Sequence, residues 1–227
     1  MNYRETDPEF MERFEHFAFE EVPNEEGQTL AAPTRWLAVL AALIGCHGLD
    51  AYKEILPKAL DGGLRPEAVK ETVYQSVDYL GMGRMWTFLH AANEIFEQRG
   101  IALPASGEAA TTFGNRLEKG VEAQAEIFGA QMREVWKNGH VNRWLAANCF
   151  GDYYTRTGLT LAEREMITFC FLMAQGGCEP QLTAHAKGNM NLGNDKAFLI
   201  KVVSQCLPYI GYPRSLNAIA CVNKAAE

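Results

Sequence analysis

Apolar residues recur along this chain at helical intervals. Between residues 195 and 210, Phe198, Leu199, Val202, Val203, Cys206 and Ile210 fall at i, i+3 and i+4 steps, the stripe of an amphipathic helix. Two further stretches, 34–46 (TRWLAVLAALIGC) and 162–178 (AEREMITFCFLMAQGGC), each predict an apolar helix ending in Gly-Cys. Boundary residues agree with this pattern. Thr160-x-x-Glu163 forms a capping box, Pro66 suits a first helical turn, and Asn194 is placed as an N-cap. Gly62, Gly63 and Gly193 stand where left-handed C-cap residues are wanted. No stretch alternates at period two, so the pattern predicts an all-α fold with essentially no sheet.

The pattern also repeats. At a constant offset of 130, Gly63 meets Gly193, Gln75 meets Gln205 and Tyr79 meets Tyr209. Gly81 then meets Gly211, Arg84 meets Arg214 and Asn93 meets Asn223. The ordered, gap-free match predicts a duplicated helical unit of roughly 100 residues. Residues 103–112 (LPASGEAATT) are small, polar and without an apolar period. The expected organisation is therefore an N-terminal unit at 1–103, a linker at 104–112 and a C-terminal unit at 113–227.

Composition narrows the function classes. A net charge of −7 without a Lys/Arg run argues against nucleic-acid partners. The longest nearly uncharged run, 36–46, is shorter than the roughly 20 residues of a membrane span. The N-terminus lacks the basic and apolar regions of a secretory signal, so a cytoplasmic, membrane-free protein is expected. No pair among the six cysteines has C-x-x-C spacing. Cys149, Cys170, Cys206 and Cys221 are expected as buried, inert thiols. The five histidines show no H-x-x-x-H or H-E-x-x-H spacing, so no metal site is expected.

The segment 176–185 (GGCEPQLTAH) carries most of the candidate chemistry. Two glycines close one helix and Pro180 opens the next, which puts Cys178 at a helix N-terminus. There the macrodipole is expected to favour thiolate. His185 lies seven residues on, about 20° short of two full turns, so Cys178, Gln181 and His185 share a face. Such a stripe suits binding and protonation of a small anion; the plainer alternative is a core thiol and a structural histidine. In the first unit the same seven-residue step from Cys46 ends on Lys53, with His47 beside Cys46 as a further polar candidate. Glu165 opens the preceding helix, where a carboxylate ordinarily faces solvent as a dipole partner. Asp152 lies among aromatics, where burial would raise its pKa and make it a candidate acid.

These segments resemble the carboxymuconolactone decarboxylase family in its duplicated form. The carrying stretches are 148–159 (NCFGDYYTRTGL), 163–166 (EREM), 176–185, 191–193 and 209–217, joined in the first unit by 73–75 and 79–83. The resemblance implies an all-helical, alkylhydroperoxidase-D-like fold that assembles as rings, with two-unit chains as homotrimers. It implies two chemistries. One is cofactor-free decarboxylation of a small unsaturated carboxylated lactone. The other is a thiol peroxidase or disulfide reductase activity that uses a Glu, a Cys-x-x-Cys and a His. Glu165, Cys178 and His185 fill three of those places, and Gln181 stands where the second cysteine would be. That departure favours the lyase over the peroxidase. On this reading His185 carries the proton, Cys178 and Gln181 donate to the anion, and Glu165 or Asp152 orients the histidine. Cys46 and His47 are substrate-binding candidates, and neither cofactor nor metal is expected. A non-catalytic binding or assembly protein is the third reading.

Overall fold

The computed structural model describes residues 3–227, and among these the chain forms helices and turns with no strand. The first unit contains α1 (Pro8–Glu15), which runs into a π-helical turn (His16–Glu21). It continues with α2 (Ala32–Gly45), α3 (Leu49–Asp61), α4 (Pro66–Leu80) and α5 (Met82–Gln98). The second unit contains α6 (Arg116–Phe128) and α7 (His140–Trp144), which runs into a π-helical segment (Leu145–Tyr154). It continues with α8 (Leu161–Gln175), α9 (Glu179–Asn191), α10 (Lys196–Ile210) and α11 (Tyr212–Ala225).

The duplication is visible in the helix ends. α3 and α9 begin at 49 and 179, α4 and α10 end at 80 and 210, and α5 and α11 begin at 82 and 212, each 130 apart. α2 and α8 begin at 32 and 161, 129 apart, so the slip is one residue inside the apolar helix. Gly48, and not Cys46, therefore matches Cys178. The counterpart of His185 is Ile55, and not Lys53.

Local chemistry sets these ends. The Glu163 N–H donates to Thr160 Oγ1 (3.2 Å) and the Thr160 N–H to Glu163 Oε2 (2.7 Å), closing the expected capping box. At α10 the cap is one residue later than the sequence suggests. Asp195 accepts from the Phe198 N–H at 2.7 Å, because its carboxylate reaches the third amide. Asn194 instead bonds Ala162 O and Asn189 Oδ1. Gly63 (φ 87°) and Gly193 (φ 95°) take the left-handed conformation, whereas Gly62 does not.

α2 and α8 pack against each other at the centre of the molecule. Every residue of Arg35–Gly45 and of Arg164–Ala174 is buried. A helix apolar all round needs cover on all sides, and the remaining helices supply it. Each central helix also carries one arginine into the core. Arg164 is fully buried and donates to Glu71 Oε2 (3.0 Å) and Gln75 Oε1 (2.9 Å) on α4. Arg35 donates to Gln205 Oε1 on α10 at 2.9 Å. The repeated glutamines thus clamp an arginine from the opposite unit. Glu71, also fully buried, accepts further from Arg156 and the Gly107 N–H. That contact pins the segment at 104–112 to the helical body.

Removing one partner of a buried ion pair strands the other charge away from water. Arg164→Met should lower unfolding stability by about 3–5 kcal/mol, read from urea denaturation. Arg65→Met, which loses an exposed bond to Gly158 O, should cost less than about 1 kcal/mol.

Candidate active site

The second unit assembles one connected polar cluster inside aromatic walls. Glu165 is fully buried on α8, just past its first turn. Its Oε2 lies 2.9 Å from His185 Nδ1, and its Oε1 accepts from the Tyr154 hydroxyl at 2.8 Å. Tyr154 in turn meets Tyr79 OH and Thr168 Oγ1, each at 2.7 Å. Gln75 donates to Thr168 Oγ1 at 2.9 Å, which joins the cluster to the Glu71–Arg164 pair. Burial holds the Tyr79 and Tyr154 hydroxyls well above the ordinary tyrosine pKa, so both keep their protons and remain donors. A donor therefore reaches Glu165 from the tyrosine side. His185 completes the pair with Nδ1–H, which leaves Nε2 as its free nitrogen.

Packing fixes this geometry. The His185 ring meets Phe128 at 5.3 Å and Tyr79 at 5.6 Å, both edge-on, and its side chain retains 12% exposure. Gly188, one turn along α9, lies directly over the carboxylate. A Cβ there would fall 2.7 Å from Glu165 Oε2 and 2.9 Å from Ile127 and Phe128 atoms. Asn189 ties the backbones together by donating to Glu165 O and His185 O.

The other sequence candidates lie elsewhere. Cys178 does cap α9, but burial pushes its thiol pKa up, with Glu179 adding to the rise. Desolvation here outweighs the Gln175 hydrogen bond, which acts in the opposite direction. Its sulfur points to Leu172 O (3.4 Å) and Gln175 Nε2 (3.7 Å). Cys178 and His185 share the face of α9 toward α8, yet seven residues of rise separate them by about 10 Å along the axis. Gln181 is exposed. Cys46 and His47 lie in the α2–α3 connection, and Cys46 bonds back to Leu43 O. Asp152 forms an ion pair with Arg116 (2.6 Å) and accepts from Asn148 (3.1 Å). The carboxyl that burial does raise, to about 8, is Asp78, with Asp152 nearby adding to the rise. Its Oδ2 is buried without a hydrogen-bond partner. Cys149, Cys170, Cys206 and Cys221 are buried free thiols.

Tyr154, Thr168, Gly188 and Asp78 carried no local signal of chemistry in the sequence. Tyr79 and Gln75 did stand out, as residues retained in both units. The first unit has no matching pair, since Trp36 follows Arg35 where Glu165 follows Arg164, and Ile55 replaces His185. A cleft of about 350 Å³ between the units, at Leu37, Arg65, Met166 and Phe198, shares no residue with the cluster.

The carboxymuconolactone decarboxylase family model matches residues 8–94 and 140–224, once in each unit. The chain is also similar to a 4-carboxymuconolactone decarboxylase of Acinetobacter baylyi. The two are 26% identical over 118 residues, spanning 46% of this chain and 81% of that protein.

Two outcomes follow from this geometry. Asp78 is protonated more readily folded than unfolded, so its contribution to stability is full below pH ~4 and is lost as pH rises toward about 8. Asp78→Asn should therefore gain stability relative to the parent between pH 4 and 8, as thermal melts across that range would show. Gly188→Ala should separate Glu165 from His185, seen as a changed His185 imidazole ¹⁵N shift.

Proposed function

Because this chain belongs to the carboxymuconolactone decarboxylase family, we propose that it is a cofactor-independent carboxy-lyase acting on a small unsaturated carboxylated lactone. The observation that carries the reading is the buried Glu165 bonded to His185 Nδ1. The reaction converts R–COO⁻ and one proton into R–H and CO₂. A butenolide accepts the electron pair of the breaking bond into its carbonyl as a dienolate, so the substrate itself serves as electron sink. The protein must then supply a proton to carbon and a dry wall around the leaving carboxylate. His185 Nε2, held outward by the Glu165 bond, is the proton carrier. Phe128, Phe150 and Tyr79 form the apolar surroundings. Glu165, oriented by Tyr154, stabilises the imidazolium between turnovers. Cys178 has no place in this arrangement as a nucleophile. Its raised thiol pKa and its distance from His185 weigh against the peroxidase alternative.

A homo-oligomer fits the same reading. Met82 and Trp86 on α5 and Tyr212 and Leu216 on α11 are exposed apolar residues at positions 130 apart. An apolar face kept on both copies of a duplicated unit suits a ring in which each unit makes the same contact.

The test is release of CO₂ from 4-carboxymuconolactone. His185→Gln and Glu165→Gln should each lose about 10²-fold or more in kcat while folding normally. Cys178→Ser should retain most of the activity. Hydroperoxide reduction abolished by Cys178→Ser, with no decarboxylation by the parent, would replace this reading with the thiol one.

A further inference from the structure

Away from Glu165 and His185, the end of α8 gathers two arginines. Arg84 on α5 and Arg214 on α11 are matched residues of the two units, 130 apart. Instead of serving separate places, both turn to the last turn of α8. Arg84 Nη1 donates to Gln175 Oε1 at 3.2 Å, and Arg214 Nη1 donates to Ala174 O. Neither arginine forms an ion pair with a carboxylate among the described residues. A guanidinium has five N–H donors in a planar fork, so each spends one on the helix end and keeps most of its capacity.

Three neighbours complete the cluster. His47 holds a left-handed backbone (φ 59°) where the matched residue of the second unit is Gly177 (φ 72°). Its pKa is lowered by burial first, then by Arg84 and by Arg214, so both guanidinia lie within electrostatic reach of one imidazole. Gln175, which accepts from Arg84, presents its amide to Cys178 Sγ at 3.7 Å. Arg214 and Asn217 line the small recess beside Cys178, together with the acidic residue Glu179.

We propose that Arg84 and Arg214, with His47 and Asn217, form a binding site for a small oxyanion, carboxylate or phosphate, at the junction of the two units. Two arginine forks match the oxygen spacing of such groups. The site shares no residue with the Glu165–His185 cluster. It also gives a reason for both copies to keep this arginine, since each unit contributes one.

The experiment follows His47 by NMR in protein labelled with ¹⁵N-histidine. Its titration is measured in sodium chloride, in sodium acetate and in sodium phosphate at equal ionic strength. A bound anion offsets the arginines and should raise the His47 pKa by about half a unit or more over chloride. A response to acetate alone marks a carboxylate site, one to phosphate alone a phosphate site, and either supports the proposal. The Arg84→Gln and Arg84→Gln/Arg214→Gln variants should start with a higher His47 pKa and lose the response. Arg84 is exposed, so the single variant keeps the test intact if the double variant is unstable. Equal titrations in all three salts, or an anion response that survives in Arg84→Gln, would overturn the site.

Discussion

The structure turns on the problem of placing Arg164 and Glu71 inside a protein. Both side chains are fully buried, one on α8 of the second unit and one on α4 of the first. Two such charges are tolerable only when each is neutralised and hydrogen-bonded. Arg164 therefore collects Glu71, Gln75 and two backbone carbonyls, Arg156 O and Thr157 O. Glu71 collects Arg156 and the Gly107 amide as well. The result locks four separate stretches of chain to one another. It also fixes the register of α8 against α4, which brings Glu165, Thr168 and Tyr79 to one place.

From that register the Glu165–His185 cluster follows by hydrogen bonds. Gln75 orients Thr168, Thr168 and Tyr79 meet Tyr154, and Tyr154 reaches Glu165. Each hydroxyl in the series is buried and remains protonated, so the series ends by donating to the carboxylate. Gly188 leaves the space in which that carboxylate lies. His185 is the point at which the cluster approaches solvent. The site is thus built across the duplication, with Tyr79 coming from the first unit and the Glu–His pair from the second.

Duplication allowed the two halves to diverge while sharing one frame. The glutamine clamps at 75 and 205 and the arginines at 35 and 164 persist because each unit needs the other to close its core. The Glu–His pair is not kept in both copies: Trp36 and Ile55 stand in the first unit where the second has Glu165 and His185. Trp36 packs under Arg35 at 4.4 Å and fills that region with ring atoms. Arg84 and Arg214 show the opposite course. They are retained in both units yet converge on one helix end.

The sequence by itself determined the helical class and the duplication, and it singled out Glu165 and His185 as candidates. Those follow from short-range rules, since apolar spacing, capping residues and repeated positions act within a few turns of helix. It also placed Cys178 and His185 on one face, because angular position is a property of a single helix. What that face touches was decided by tertiary structure, because axial separation matters only against a second helix. The same holds for the charges. A glutamate near a helix start ordinarily faces water, and only the packing of α4, α9 and the π-helical segment around α8 turned Glu165 inward. Asp152, expected among aromatics, meets Arg116 for the same reason, and the carboxyl in the dry environment is Asp78. Whether a carboxyl meets an arginine or a dry wall depends on residues far away in the chain, and local sequence carries no record of them.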